Sequence, residues 1–301
     1  MAPSTITLTI PEITTYHKRP YPRISPNQPS LTQASRTVLI VGGSAGIGLA
    51  IARAFIHASA ATVIVTGRRP SALAEAVARL KAEVPAHGST AVRGIVSDMA
   101  DPEASAKLWD GLRNEGVVVG VLVLNAMATG EAKPLVEAGV ESVWRAFETN
   151  VRGLLDYTER FARQEGEGKK YLINLSTSGI HNYNAETAAN PAYSLTKNAG
   201  TLAVQLVAKD TDPTALQIIS FHPGGVLSES ARNAGYDEST MDWDHEDLPG
   251  QFAVWLATEE AQFLHGRFVP VWWDVDELST GPARERIEGD EHFLRIGVVG
   301  L

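Results

Sequence analysis

Tyr193 and Lys197 stand four residues apart in the run Tyr193-Ser194-Leu195-Thr196-Lys197. The surrounding segment, Pro191 to about Asp210, has helical spacing, which puts both on one helix face. A phenol with an ordinary pKa of about 10 is a poor acid or base at neutral pH. A neighbouring cation favours the phenolate and lowers that value. Such a pair alone is common. Far upstream, however, lies Gly42-Gly43-Ser44-Ala45-Gly46-Ile47-Gly48, with strand and helix patterns alternating between the two. That order places a phenol and an ammonium beside a predicted dinucleotide site. The chemistry it suggests is hydride transfer coupled to proton donation to a carbonyl, with Tyr193 as the acid.

The glycine run sits between an apolar strand pattern and a helical one. Gly42, Gly46 and Gly48 let the backbone turn sharply and approach a pyrophosphate, and the helix start beyond offers unpaired N–H groups. The strand before and the helix after supply the context this loop requires. Ser44 and Ile47, inside the same loop, join the cofactor-binding set. The second strand ends Val65-Thr66-Gly67-Arg68-Arg69. A carboxylate here would bind both ribose hydroxyls of NAD, and none is present. Arg68 can instead meet a 2′-phosphate, so NADP(H) is the expected cofactor ahead of NAD(H). Asp98, after the third strand, is placed to accept from the adenine amino group.

These groups need a scaffold. Thr37–Val41 is a short, wholly apolar run, the pattern of a strand buried on both faces. Strands are also expected over 62–66, 90–96, 117–124, 171–175, 216–221 and 267–271. Helices are expected over 47–57, 71–84 with Ser71 as N-cap, 101–113, 137–163 as one long helix, 191–210 and 249–257. Seven β runs alternating with helices predict an α/β fold: a doubly wound, Rossmann-like, seven-stranded parallel sheet with helices on both faces. The reading divides the chain into an extended Pro-rich arm (1–35), a dinucleotide-binding and catalytic domain (36–281) and a tail (282–301). The arm's segments Arg19-Pro20-Tyr21-Pro22 and Ser25-Pro26-Asn27 cannot continue a helix or a central strand.

The bulk numbers narrow the function classes. A chain of 301 residues with 44% hydrophobic and 20% charged residues is ordinary for a soluble globular protein. Its net charge of −9 argues against nucleic acid or an anionic membrane surface as partner. There is no cysteine, so disulfides and thiolate chemistry are absent. No apolar run reaches the length of a spanning helix, and the start lacks a signal-peptide pattern. A cytoplasmic location and no metal site are expected.

At this point the chain resembles the short-chain dehydrogenase/reductase family over about Thr37 to Val271. The matching features are the Gly42/Gly46/Gly48 loop, Asp98, Asn125-Ala126, Asn150, Tyr193/Lys197 and Pro223-Gly224. The segment from Phe263-Leu264-His265 through Trp273-Asp274-Val275-Asp276-Glu277-Leu278 is more loosely similar to the ending of fungal members. The resemblance implies that Lys197 hydrogen-bonds the nicotinamide ribose and lowers the pKa of Tyr193. It implies that Asn150 helps hold a water in a proton relay to Lys197, and that Asn125 contacts the cofactor. It implies that Pro223-Gly224-Gly225-Val226 brackets the nicotinamide, with the Val226 backbone and the Ser228 hydroxyl near the carboxamide. It also implies a homodimer or homotetramer.

Two departures stand out. The family's usual serine is replaced by Thr177 in Asn174-Leu175-Ser176-Thr177, with Ser178 next; either hydroxyl could orient the substrate carbonyl, and Thr177 is the preferred assignment. The usual Asn-Asn-Ala-Gly becomes Leu124-Asn125-Ala126-Met127, so Met127 either narrows the substrate pocket or fills the core. Two segments should shape that pocket: Gly179 to Asn190, with His181, Asn182 and Tyr183, and Glu229 to Asp247, with Tyr236, Met241 and Trp243. A polar stretch of the latter kind between strand and helix suggests a lid. The expected substrate is a small, largely apolar ketone, for instance a natural-product intermediate, or in reverse a secondary alcohol. A cofactor-bound isomerase, dehydratase or cyclase, and a catalytically silent NADP-binding regulator, stay open as alternatives.

Overall fold

Val38, Leu39 and Ile40 have no exposed surface, as expected of a strand covered on both faces. The computed structural model describes residues 8–180 and 190–298. Among them, β1 (Thr37–Val41), β2 (Thr62–Gly67), β3 (Ala91–Val96), β4 (Val121–Leu124), β5 (Lys170–Leu175), β6 (Leu216–His222) and β7 (Phe268–Pro270) form one sheet. Its order is β3-β2-β1-β4-β5-β6-β7, and every pairing is parallel. The chain leaves β1 toward β2 on one side and returns to β4 on the other. That reversal opens a crevice at the strand carboxyl ends, where open α/β sheets bind ligands.

The period of two along each strand sorts its side chains into two cores. Val38 and Ile40 join a cluster with Leu49, Ile51 and Phe55 of α1 (Gly46–His57), Leu73 and Leu80 of α2 (Pro70–Ala82), and neighbouring residues. Leu39 and Val41 join the opposite cluster with Leu108 and Leu112 of α3 (Pro102–Asn114). The doubly wound sheet expected from the sequence is therefore the fold. Among the described residues no helix is long and apolar enough to cross a membrane.

Some local expectations need correction. Ser71 does not cap α2: Pro70 is at the helix start, the N-cap is Arg69, and no side chain closes that end among the described residues. Proline at the first position fixes the helical φ one residue earlier than the polar pattern implied. β4 begins at Val121 rather than Val117, because the side chain of Gln164 captures Val119, accepting from its N–H at 2.8 Å and donating to its carbonyl at 3.2 Å.

The single long helix expected over 137–163 is four segments. α4 (Leu135–Ala138) stops at Gly139, whose φ of +78° ends the helical path. α5 (Val140–Phe147) then passes into a wide π turn, Glu148–Gly153, before α6 (Leu154–Ala162). Such π turns concentrate at functional positions, and this one carries Asn150. α7 (Pro191–Lys209) crosses here. A Cβ on its Gly200 would run into the Asn150 carbonyl, so the two segments touch backbone to backbone.

The N-terminal segment is built into the body. Ile13, Ile24 and Leu31 are buried in the same cluster as Val38. The carbonyl of Leu8 accepts from the indole N–H groups of Trp272 (3.2 Å) and Trp273 (3.0 Å). His17 stacks on Tyr21 with ring centroids 3.5 Å apart and reaches Asp274 at 2.8 Å. Thr14 and Thr15 each donate to Glu277 through both backbone and hydroxyl. Burial raises the pKa of that carboxyl, yet these bonds outweigh it and hold the value at about 2. Between β6 and β7 lie α8 (Glu229–Asn233) and α9 (Asp247–Leu256), whose Phe252 and Trp255 lie in the same core. Then follow α10 (Val275–Ser279) and α11 (Gly281–Gly289), whose Ala283 and Ile287 are also buried there. Arg267 fastens the end beyond: its guanidinium donates to the carbonyls of Ile287 (2.8 Å), Asp290 (3.0 Å), Glu291 (3.0 Å) and Phe293.

Candidate active site

The turn after β1 exists because two glycines let three backbone segments converge. Gly42 has φ +83°, and a Cβ there would sit 2.9 Å from the backbone of Ala126. At Gly48, in the first turn of α1, a Cβ would collide with the carbonyl of Gly42. That carbonyl accepts from Asn125 Nδ2 at 2.6 Å, and the Asn125 and Ala126 N–H groups donate to Val41. Asn125 thus ties the β4 end to the glycine turn. Gly42 N–H faces Thr66 Oγ1 at 3.3 Å, and Gly43 N–H donates to the Thr66 carbonyl at 3.0 Å. Among the described residues no side chain caps the start of α1.

A cleft of about 730 Å³ opens over this turn. Gly42, Ser44, Gly46 and Ile47 line it, with Arg68, Asp98, Asn125 and Ser228. Gly48 supports the loop from beneath. Arg68 is exposed at the rim, and its neighbour Arg69 lies 3.8 Å from Glu229. One oxygen of Asp98 accepts from Ala100 N–H at 3.0 Å. Met127 is 39% exposed and lines the same cleft, so it does not fill the core. Sequence reasoning passed over Thr66, Ser97, Met99, Thr149, Ser230 and Asn233, which also line it. The rule that ligands gather at strand ends could have found Thr66 and Ser97, which end β2 and follow β3.

Asn150 works through its side chain. Its Oδ1 accepts from Ala128 N–H at 2.9 Å, and its Nδ2 donates to the Ala128 carbonyl (2.7 Å) and Thr196 Oγ1 (2.8 Å). The amide therefore stitches the irregular segment that follows Asn125 to the helix bearing Tyr193 and Lys197.

Lys197 is buried, at 5% exposure, and its ammonium donates to the carbonyl of Leu175 at the end of β5. Burial pushes its pKa down to about 8. Among the described residues no carboxylate forms an ion pair with it. Tyr193 lies one turn earlier, half-buried, in the first turn of α7. Thr177 and Ser178 are both buried beyond β5, and Thr177 Oγ1 accepts from Gly179 N–H at 3.3 Å. Both hydroxyls stay candidates. Asn198 Nδ2 donates to the Ile180 carbonyl at 2.8 Å and holds that turn on α7. His181, Asn182 and Tyr183 lie outside the described residues.

Pro223, Gly224 and Val226 follow β6. Ser228 N–H donates to the Val226 carbonyl at 2.7 Å, and Ser228 Oγ caps α8 by accepting from Ala231 N–H at 3.3 Å. In the expected lid, Trp243 donates its indole N–H to Asp237 at 2.8 Å, and its ring meets Tyr236 edge-on with centroids 6.1 Å apart.

Comparison with known proteins agrees with this architecture. A family model described as short chain dehydrogenase matches residues 36–239. A short chain dehydrogenase/reductase of Claviceps purpurea (strain 20.1) is 33% identical over 287 residues, spanning 95% of this chain and 93% of the relative. The short chain dehydrogenase/reductase AacuD of Aspergillus aculeatus is 33% identical over 285 residues, spanning 95% of each. Among solved structures, the Pseudomonas aeruginosa RhlG/NADP active-site complex superposes with a TM-score of 0.71 at 21% identity, covering 81% of this chain and 97% of that one. The Gluconobacter frateurii L-sorbose reductase complexed with NADPH and L-sorbose gives a TM-score of 0.68 at 21% identity, covering 80% and 96%. The chain belongs to the short-chain dehydrogenase/reductase family of oxidoreductases.

Proposed function

We propose that the protein is an NADP(H)-dependent reductase of a ketone on a small, largely apolar organic molecule, with Tyr193 as proton donor. The observation that carries the reading is Lys197: a buried ammonium without a carboxylate partner among the described residues, four residues after Tyr193. Such a cation needs acceptors, and the ribose hydroxyls of a nicotinamide nucleotide would supply them. The chain's groups fit a dinucleotide along the cleft. The uncapped start of α1 suits its pyrophosphate, Asp98 the adenine amino group, and Arg68 a 2′-phosphate. Pro223, Gly224, Val226 and Ser228 would hold the carboxamide end.

When bound, the nicotinamide supplies a hydride to the carbonyl carbon. Tyr193 gives its phenolic proton to the carbonyl oxygen, and the positive charge of Lys197 stabilises the phenolate left behind. Thr177 orients that oxygen through its hydroxyl. Asn150 keeps α7 and the β4 end in register, and a water relay through it would run from its carbonyl. Met127 lends the cleft an apolar side chain, which suits an organic ketone such as a natural-product intermediate. NADP(H) use is also seen in the RhlG and L-sorbose reductase structures. Leu195, Leu202 and Leu206 expose an apolar stripe on α7, which suits a homodimer or homotetramer.

Mixing the protein with NADPH and a panel of aliphatic, cyclic and aromatic ketones tests this. The expected result is loss of reduced-nicotinamide absorbance that requires a ketone and yields the matching secondary alcohol. NADPH that binds but is consumed with no ketone of any class would count against the reductase reading.

A further inference from the structure

The loop after β6 is held from an unexpected direction. Gly224 has φ +84°, and a Cβ there would lie 2.5 Å from Asp244 Oδ2, so the Asp244 carboxylate rests against the loop backbone. The same oxygen accepts from Gly225 N–H at 2.7 Å, while Asp244 N–H donates to the Gly225 carbonyl at 2.8 Å. This two-way clamp joins the last turn of the lid to the loop. Asp244's side chain has no exposed surface, and a buried carboxylate needs a compensating charge.

A cation reaches it from the N-terminal segment. Lys18 Nζ lies 4.0 Å from Asp244 Oδ1 and 2.6 Å from Asp242 Oδ2, and it also donates to the Asp242 carbonyl. The Lys18 carbonyl accepts from His245 N–H at 2.8 Å. Lys18 therefore grips both sides of Asp244. Lys18 is itself fixed by its neighbour His17, whose N–H donates to the Trp272 carbonyl at 2.7 Å. From Gly225 the chain runs through Val226 and Ser228 directly into the cleft wall, where Ser228 comes within 3.2 Å of a Cβ built on Gly46.

We propose that Lys18 and Asp244 form a latch by which the N-terminal segment positions the Pro223–Val226 loop and the trailing end of the lid for cofactor binding. Both are positioning residues: they touch neither substrate nor reacting atoms. The cofactor half of the inference rests on the function proposed above, whereas the anchoring half stands on the protein alone. The pair fixes a loop that would otherwise have to be ordered by the ligand, and ordering lost before binding is recovered as affinity.

The test uses the full chain with Lys18→Met, Lys18→Arg and Asp244→Asn. Amide hydrogen exchange of residues 223–247, without cofactor, reads the anchoring. NADPH titration reads its consequence, and the thermal midpoint reports any general loss of fold. Lys18→Met is expected to speed exchange in 223–247 but not in the central strands, to weaken NADPH binding about tenfold, or about 1.4 kcal/mol, and to move the midpoint little. Lys18→Arg should restore affinity. Asp244→Asn should act in the same direction, and the double variant should be no weaker than the worse single one. Unchanged exchange in 223–247 on Lys18→Met would overturn the latch, as would faster exchange with unchanged NADPH affinity. If the unsubstituted chain binds no NADPH, the functional reading and the cofactor half fail together, and exchange still decides the anchoring half.

Discussion

Tyr193→Phe is expected to lower ketone reduction by about 10²- to 10⁴-fold, the usual contribution of a positioned general acid, with NADPH affinity nearly unchanged. The substitution removes one oxygen and leaves the ring, the helix and Lys197 in place. An interaction made only in the transition state is lost, so the fall should lie in kcat rather than KM. Lys197→Met should lose both rate and cofactor affinity, because the same ammonium would serve the ribose and the phenol. The pH dependence follows from the buried lysine. Its pKa of about 8 in the folded chain means that the cation is present below that pH and lost above it. Reduction should therefore decline as pH rises through about 8, unless bound nucleotide moves the value upward by giving the ammonium acceptors. Steady-state kinetics of the three proteins across that range reads all of this. Unchanged ketone turnover by Tyr193→Phe would remove the phenol from the mechanism. A non-redox isomerase or cyclase would tolerate the loss, and a silent regulator would bind NADPH with either residue present.

Deleting residues 1–34 should unfold the protein or make it insoluble. Ile13, Ile24 and Leu31 are buried in the core shared with β1. Full burial of such side chains contributes about 1.5–3 kcal/mol each, against a total stability of about 5–15 kcal/mol for a typical domain. The deletion also strips Leu8 and His17 from Trp272 and Trp273, which are 0% and 1% exposed, and leaves Glu277 without its four donors. Soluble yield, far-ultraviolet circular dichroism and a thermal melt would measure the outcome. A truncated chain that stays soluble and melts within a few degrees of the full one would show that the segment is only a covering.

The sheet was legible because parallel strands buried on both faces read as short apolar runs, and Thr37–Val41 is such a run. The glycine turn between β1 and α1 and the placement of Tyr193 and Lys197 one turn apart on a helix were legible because a sharp turn needs glycine and helical spacing puts residues four apart on one face. The break at Gly139 and the π turn at 148–153 were not: the first lies in the positive φ of one glycine, and the second goes with contacts that Asn150 makes across the fold with Gly200, Ala128 and Thr196. The N-terminal segment reads as Pro-rich and polar, yet it docks through a few well-separated apolar residues and through partners near the far end of the chain. No local periodicity reports such pairings. Asp244 went unseen for the same reason: among the acids of a polar segment, only three-dimensional contact with Gly224, Gly225 and Lys18 marks it out.

The central claim, a nicotinamide site selected for the 2′-phosphate, is tested most directly by titrating the purified protein with NADPH and NADH while following the fluorescence of the bound nicotinamide. NADPH should bind about 10- to 100-fold more tightly than NADH, the worth of one charge-assisted hydrogen bond of roughly 1.5–3 kcal/mol from Arg68, and Arg68→Ala should erase most of that gap. Equal affinity for the two would contradict the selection by Arg68, and binding of neither would contradict the site itself.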